Sequence, residues 1–173
     1  MKSYWLIYSP LSAIAITLLL ICGVPNGNRA QVQIRSPIYT ESDLTQMLFN
    51  AINKERIQQR LPVLTVHYRI VYIAKLRSED MASRNYLSHT SPEGETAFSL
   101  MNQYGISYGW AGENLARNNY PDGQTVGVVI HDLMASEGHR ANILNNNYTH
   151  LGVGAAVNDA GTKYYTMIFI GPP

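Results

Sequence analysis

The sequence predicts an α+β domain. Apolar residues recur at helical spacing through much of the chain, whereas residues 148–170 are rich in β-branched and aromatic side chains. Helices therefore come first and strands last, which favours α+β over an alternating βαβ architecture. Hydrophobic residues form 46% of the 173 residues and charged residues 14%, a composition typical of a globular domain with one core.

The first helix is predicted from Glu41 to about Gln59. Thr40 and Asp43 have the spacing of a capping box just ahead of it. Pro62 ends any continuation, because proline cannot donate a helical hydrogen bond. The apolar residues that recur at helical spacing are Leu44, Met47, Leu48, Ala51 and Ile52.

A second helix is predicted from about Tyr68 to Leu87, with Arg77 and Arg84 toward the edges of its apolar face. That face would carry Ile70, Ile73, Ala74 and Met81.

A loop from His89 to Gly94 precedes a third, short helix. Ser91 is a good N-cap residue and Pro92 a good first helical residue. We expect this helix to reach Tyr104 and to be closed by the glycine that follows.

Glycines predict an irregular stretch over residues 109–112, and a further helix follows over residues 123–135. Gly138 interrupts the helical pattern, and residues 141–144 would add one more turn. The chain then ends in a predicted β-hairpin, with strands at 148–157 and 163–170 and turn-forming residues at 158–161.

The N-terminal 30 residues have the pattern of an export signal. Lys2 precedes an apolar run from Trp5 to Val24, and the small residue Ala30 marks the expected cleavage site. An uncleaved membrane anchor is the alternative, because the run approaches spanning length. We assign residues 1–30 to a signal peptide or membrane anchor, 31–40 to a short tether and 41–173 to the folded domain.

Charge and cysteine content exclude several classes of function. The chain has 13 basic and 12 acidic residues, a net charge of +1 and no run of Lys or Arg, so nucleic acid is not an expected partner. Cys22, its one cysteine, lies in the N-terminal apolar run. Bulky Ile21 before it disfavours lipid modification. The folded domain therefore has no disulfide, thiol nucleophile or thiolate ligand.

Three residues stand in local surroundings that suit a site. His89 begins a loop directly after a helix, and His139 follows Glu137 and Gly138 where a helix is interrupted. Glu113 follows a glycine that lets the main chain turn, so its carboxylate is either a site residue or a turn cap. We expect the other histidines to be structural: His67, His131 and His150.

Several short motifs occur in an order that resembles the bacterial branch of the CAP superfamily. They are HTSPEG from His89, GENLA at 112–116, SEGHRANIL at 136–144, THLGVG at 149–154 and YYTMIF at 164–169. The resemblance covers about Leu44 to Phe169. Relatives in the CAP superfamily include cysteine-rich secretory proteins, antigen-5 proteins and plant pathogenesis-related proteins. The resemblance implies an α-β-α sandwich with a central antiparallel sheet between helical layers.

The resemblance also implies a cleft with two histidines and two acidic residues, which in some similar proteins binds zinc or another divalent ion. His89 and His139 match the histidines, and Glu113 matches the acid of the GEN motif. Ser136 stands where eukaryotic relatives carry the second acid, and Glu137 is its neighbour.

Two interpretations of this cleft stay open. His89, Glu113 and His139 would form a reasonable zinc set with one open position for water, and Glu137 could act as base. The alternative is a polar network that fixes the loops. A Ser136–His139 hydrolase is a minor hypothesis, because no orienting acid or oxyanion hole can be identified.

We expect a secreted, periplasmic or cell-envelope protein, with membrane contact only through an uncleaved N-terminal segment. The first hypothesis is a domain that binds an envelope, lipid or protein ligand. The second is a metal-dependent hydrolase of envelope polymers or peptides, with His89, Glu113, Glu137 and His139 as its catalytic residues. The third is a structural surface protein. Fold alone does not decide among them.

Overall fold

The computed structural model describes residues 39–173. The predicted signal peptide or anchor at 1–30, Cys22 within it and all but the end of the 31–40 tether lie outside the described residues. Within residues 39–173, no helix has both the length and the apolar character needed to cross a bilayer.

Helices and a four-stranded sheet make up the described chain. The helices are α1 (Glu41–Gln58), α2 (Tyr68–Arg84), α3 (Ala97–Gln103), α4 (Asp122–Ala135) and α5 (Glu137–Ile143). The strands are β1 (Thr65–Val66), β2 (Trp110–Asn118), β3 (His150–Val157) and β4 (Lys163–Gly171). Their order in the sheet is β1-β3-β4-β2. β4 pairs antiparallel with both neighbours, and β1 pairs parallel with β3.

Helices cover both faces of this sheet, so the predicted α+β class and sandwich architecture are confirmed. One core joins α1, α4 and α5 to the face of the sheet that carries Leu151, Val153 and Phe169. On the opposite face, α2 and α3 pack against Ile168 and Ile170. Successive residues of β3 and β4 alternate between the two cores, as the two-residue period of a strand requires.

Glycines bring α2 directly onto β3. A Cβ atom at Gly152 would lie 2.5 Å from the main-chain carbon of Ile70, and one at Gly154 would overlap the main chain of Ala74. Helix and strand therefore touch through their backbones at these positions. The GVG part of the THLGVG motif is explained by this close approach.

The third helix begins later than predicted. α3 starts at Ala97 and not at Pro92, because Thr96 forms its capping box with Ser99. The hydroxyl of Ser91 instead accepts two main-chain hydrogen bonds within the preceding turn. Similarly, α2 ends at Arg84 rather than Leu87, since the next residue adopts a left-handed conformation with φ of 54°.

β2 is the main element that sequence reasoning missed. Gly112, Asn114 and Asn118 all disfavour a strand by propensity, and the glycines at 109 and 112 predict irregular structure at its start. Nine residue pairs with β4 overrule that preference. The two-residue strand β1 was missed as well.

The interruption predicted at Gly138 is wrong. The break comes two residues earlier at Ser136, which is extended with ψ of 124° between α4 and α5. Gly138 lies inside α5, whose bounds exceed the single turn predicted for residues 141–144.

We predict that Gly154→Ala lowers the free energy of unfolding by about 3 kcal/mol, because the added methyl group would have to push α2 off β3. Gly127→Ala is the matched control. It lies in α4 with nothing within 4 Å of the position that a Cβ atom would take, so alanine should stabilise the helix by several tenths of a kcal/mol. Urea denaturation of both variants measures the difference, and similar stabilities would contradict the close α2–β3 contact.

Candidate functional site

A buried carboxylate holds an exposed imidazole. His89 lies in the loop after α2, and its Nδ1 is 2.6 Å from Oε2 of Glu113 on β2. The side chain of Glu113 is 2% exposed, whereas that of His89 is 60% exposed. The carboxylate thus fixes the imidazole from below while the rest of the ring faces solvent.

Arg77 contacts both the carboxylate of Glu113 and the loop that carries His89. Its side chain on α2 is as buried as that of Glu113, and its Nε lies 3.6 Å from Oε1 of the carboxylate. Its Nη2 donates a hydrogen bond of 2.7 Å to the carbonyl of Ser88, the residue before His89. Arg77 therefore both neutralises the carboxylate and anchors the loop.

The role of Arg77 was missed by sequence reasoning, which placed it toward the edge of the apolar face of α2. The structure buries it within that face. The available signal was its spacing of three and four residues from Ala74 and Ile73, which puts a charge in line with core residues.

Burial dominates the electrostatics of this pair. It raises the pKa of Glu113, and hydrogen bonding to His89 together with the charge of Arg77 only partly opposes that effect. A pKa shifted by burial and by a specific charge partner is typical of functional sites, and buried structural ion pairs show it too.

The second histidine approaches β2 from the opposite layer. His139 lies on α5, and its carbonyl accepts a hydrogen bond of 2.9 Å from Nδ2 of Asn114. Asn142, also on α5, donates to Oδ1 of Asn114 at 2.8 Å and to the carbonyl of Glu113 at 3.3 Å. These two asparagines dock α5 against β2.

The side chains of the GEN motif contact the helical layers on both faces of the sheet. Because successive side chains of a strand point to opposite faces, Glu113 faces α2 and His89 while Asn114 faces α5 and His139. Burial lowers the pKa of His139, and the charge of His89 lowers it further. Both histidines thus contact β2, His89 through the side chain of Glu113 and His139 through that of Asn114.

Ser136 and Glu137 differ in their placement. Ser136 and His139 line a pocket of about 290 Å³, whose apolar wall includes Val129 and Leu133. Glu137 is exposed and does not line that pocket. Its predicted role as a base gains no support from its position.

Metal binding at this site stays a prediction. Within residues 39–173, no group of three or more His, Cys, Asp or Glu side chains is close enough to hold a metal ion. Glu113 holds His89 through Nδ1, as a carboxylate does when it orients a metal-binding histidine. The described donors therefore offer a metal ion two imidazoles, fewer than the three or four protein ligands of a catalytic or structural zinc site.

Comparison with known proteins identifies the family. The family model described as "CAP: Cysteine-rich secretory protein family" matches residues 49–169. The chain belongs to the CAP family. This match includes His89, Glu113 and His139, so the recognition made from the motifs is confirmed.

Bacterial proteins are among the similar ones. The Bacillus subtilis protein YkwD is 41% identical over 119 residues, which cover 69% of this chain and 44% of that protein. The B. subtilis membrane protein YlbC is 34% identical over 125 residues, covering 72% of this chain and 34% of that protein. The CAP chain described here thus spans less than half the length of either relative.

Solved structures agree with the fold. An extracellular protein of Bacillus anthracis that contains an SCP domain is 33% identical, with a TM-score of 0.65 over 79% of this chain and 45% of that chain. An outer surface protein of Borrelia burgdorferi is 16% identical, with a TM-score of 0.70 over 78% of this chain and 97% of that chain. The second likeness concerns the fold alone.

We predict that Arg77→Met lowers the free energy of unfolding by about 3 kcal/mol, because it leaves the carboxylate of Glu113 buried without its countercharge. Urea denaturation at pH 7 measures the loss. Because burial raises the pKa of Glu113 in the folded state, the folded protein binds that proton more tightly than the unfolded chain. The penalty should therefore shrink as the pH falls through the folded-state pKa.

Glu113→Gln in the Arg77→Met background provides the control. The double variant no longer buries an unpaired charge, so it should recover part of the lost stability. Equal losses in the single and double variants would show that Arg77 acts through packing and the Ser88 hydrogen bond alone.

We also predict that His89→Ala raises the pKa of His139 toward its ordinary value of 6.5 without reaching it. The variant removes the charge of His89, whereas burial, the larger cause, persists. Titration of the histidine Cε1 protons by NMR measures the change. His67→Ala, which alters a histidine that does not influence His139, should leave its titration unchanged. A pKa unaffected by His89→Ala would mean that the two imidazoles do not share a cleft.

Proposed function

We propose that this chain is a ligand-binding CAP domain that works outside the cytoplasm, at the cell envelope or in the surrounding medium. Its recognition face is the cleft between His89 and His139. The observation that carries the proposal is the 2.6 Å contact between Nδ1 of His89 and the buried carboxylate of Glu113.

Orientation of His89 supports binding at this face. A carboxylate that accepts a hydrogen bond from Nδ1–H leaves Nε2 as the acceptor of the neutral imidazole, pointing away from the protein interior. An ion pair with Arg77 beneath it adds desolvation cost that a purely apolar core would avoid. We therefore interpret the Arg77–Glu113–His89 series as a support for an exposed binding group.

A divalent metal ion is the co-ligand best matched to this face. Zinc accepts neutral imidazole nitrogens, and His89 and His139 would hold it, with Glu113 orienting His89 as a positioning residue. Such an ion would supply a Lewis-acidic position that the ligand itself could fill. With two protein ligands, the affinity for zinc should be weaker than that of a complete structural site.

Hydrolysis of envelope polymers or peptides is the alternative function. It needs a third metal ligand or a base beside the two imidazoles, and Glu137, the candidate base, is exposed away from the pocket that His139 lines. Binding is therefore the better supported interpretation.

The extracytoplasmic location rests on two observations. The first is the apolar run from Trp5 to Val24 that precedes the domain. The second is the 33% identity to an extracellular protein of B. anthracis. Fractionation of cells that produce the full chain should find it in the medium or the envelope, and a purely cytoplasmic chain would contradict the proposal.

We predict that the full chain binds zinc in calorimetry and that His89→Ala or His139→Ala abolishes the heat of binding. Protonation competes with metal for an imidazole, so binding should weaken as the pH falls. Because the pKa of His139 is lowered, that ligand should stay available to a lower pH than an ordinary histidine.

His131→Ala is the matched control for this experiment. His131 is exposed on α4, where it contacts Asp132, and its removal should leave zinc binding intact. A parent protein that binds no zinc would remove the metal from the proposal. Binding that survives both cleft substitutions would place the ion elsewhere.

A further inference from the structure

Among residues 39–173, β2 is an edge strand, and part of its main chain has no partner there. It pairs with β4 on one side only. The N–H of Asn158 donates to the carbonyl of Thr162, so these residues form a hydrogen-bonded pair of the β3–β4 ladder. Such pairs recur at every second residue of an antiparallel ladder. Even-numbered residues of β4 therefore form hydrogen bonds with β3, and odd-numbered residues form them with β2.

The register between β2 and β4 then determines which main-chain N–H and carbonyl groups of β2 point toward β4 and which point away from the sheet. Even-numbered residues such as Asn114 and Ala116 bond β4, whereas the main chains of Glu113, Leu115 and Arg117 point outward. An independent contact agrees, because the carbonyl of Glu113 accepts its hydrogen bond from Asn142, outside the sheet.

Two of these outward residues offer free hydrogen-bonding groups. Among residues 39–173, no hydrogen bond is formed by the main-chain N–H or carbonyl of Leu115 or Arg117. The two residues are separated by about 6.6 Å, twice the rise per residue of a strand. Four polar groups therefore stand at the spacing that an extended chain would match.

A pocket lies against this segment. The 290 Å³ pocket that His139 and Ser136 line also borders Leu115 and Arg117. The side chain of Leu115 packs on the opposite face with Met81, so Leu115 borders the pocket through its main chain. Val129 and Leu133 supply an apolar wall opposite.

We propose that the ligand of this cleft is an extended polypeptide segment of another protein, which adds a strand to the outer edge of β2 at Leu115–Arg117. The inference deepens the proposed function and rests on it. The main chain of the segment would bond Leu115 and Arg117, and a small apolar side chain would enter the pocket beside Val129 and Leu133. The strand would run between His139 on one side and His89 on the other.

The surroundings of the edge favour a lone segment over other occupants. A lipid tail would leave the N–H and carbonyl groups of Leu115 and Arg117 unpaired, at a cost of a lost hydrogen bond each. The edge strand of a second copy would bring helical layers with it, whereas α5 and the His89 loop already flank this edge. A single extended chain avoids both problems.

The test uses the full chain and the neutral peptide acetyl-Thr-Val-Thr-Val-Thr-amide as probe. Hydrogen exchange followed by NMR should show that the amides of Leu115 and Arg117 exchange rapidly without peptide and about tenfold or more slowly with it. The amides of Asn114 and Ala116 already bond β4 and should be protected throughout. Loss of this odd–even alternation, or no change on adding the probe, would overturn the proposal.

Arg117→Pro and Arg117→Ala form a matched pair of variants. Proline removes the outward N–H without touching the β4 ladder, and prolines are tolerated on the free side of edge strands. It should weaken binding of the probe about tenfold, the value of one hydrogen bond, whereas alanine keeps the N–H and should bind within about twofold of the parent. Equal binding by both variants would contradict strand addition.

Peptides with N-methylated amides keep the test decisive if the proline variant fails to fold. One strand edge of a bound peptide faces β2 and the other faces solvent, so methylation at residues 2 and 4 or at residues 1, 3 and 5 should abolish binding in one set only. Equal loss in both sets would overturn the proposal. Protection that grows with protein concentration alone would assign the edge to a second copy instead.

His89→Ala separates this inference from the metal proposal. If the variant loses zinc binding while the peptide still protects the amides of β2, the result would support the metal proposal and strand addition independently. Zinc binding without peptide protection would refute strand addition alone, and peptide protection without zinc binding would refute the metal alone.

Discussion

Antiparallel pairing between β2 and β4 is the constraint on which the site depends. It holds a glycine- and asparagine-containing segment in a regular strand, and the strand then sends neighbouring side chains to opposite faces of the sheet. Glu113 meets the layer that contains α2, and Asn114 meets the layer that contains α5. A shift of one residue in this register would exchange the two and separate the acid from His89.

The two halves of the site are supported in different ways. Next to His89, burial of the Glu113 carboxylate carries a desolvation cost, which the hydrogen bond from His89 and the charge of Arg77 partly offset. Next to His139, the support is neutral: the side chain of Asn114 donates to the carbonyl of His139 and accepts a hydrogen bond from Asn142 on α5. Changes that disturb the first half should therefore respond to pH through Glu113, whereas changes to the amide half should respond far less.

The cleft and the free sheet edge are one feature of the molecule. Among residues 39–173, β2 is the last strand in the sheet order and pairs on one side only, and its residues Glu113 and Asn114 contact His89 and His139. α1 and α4 cover one face of the sheet and α2 the other, which leaves this edge as a place where main-chain groups and site side chains meet. The recognition face that we propose thus lies within a chain that spans less than half the length of either B. subtilis relative.

Local sequence by itself determined where the first two helices begin, at Glu41 and Tyr68, together with the terminal hairpin and the α+β class, because capping residues, apolar periodicity and turn residues act over a few positions. It did not determine the end of the second helix, which was predicted at Leu87 and lies at Arg84. Motifs in order added the family and singled out His89, Glu113 and His139. Tertiary structure alone decided that residues 110–118 form a strand, since pairing with β4 outweighs their weak propensity. It also decided the burial of Arg77 and the contacts of Glu113, because these depend on which layers meet across the sheet, a relation between residues distant in the chain.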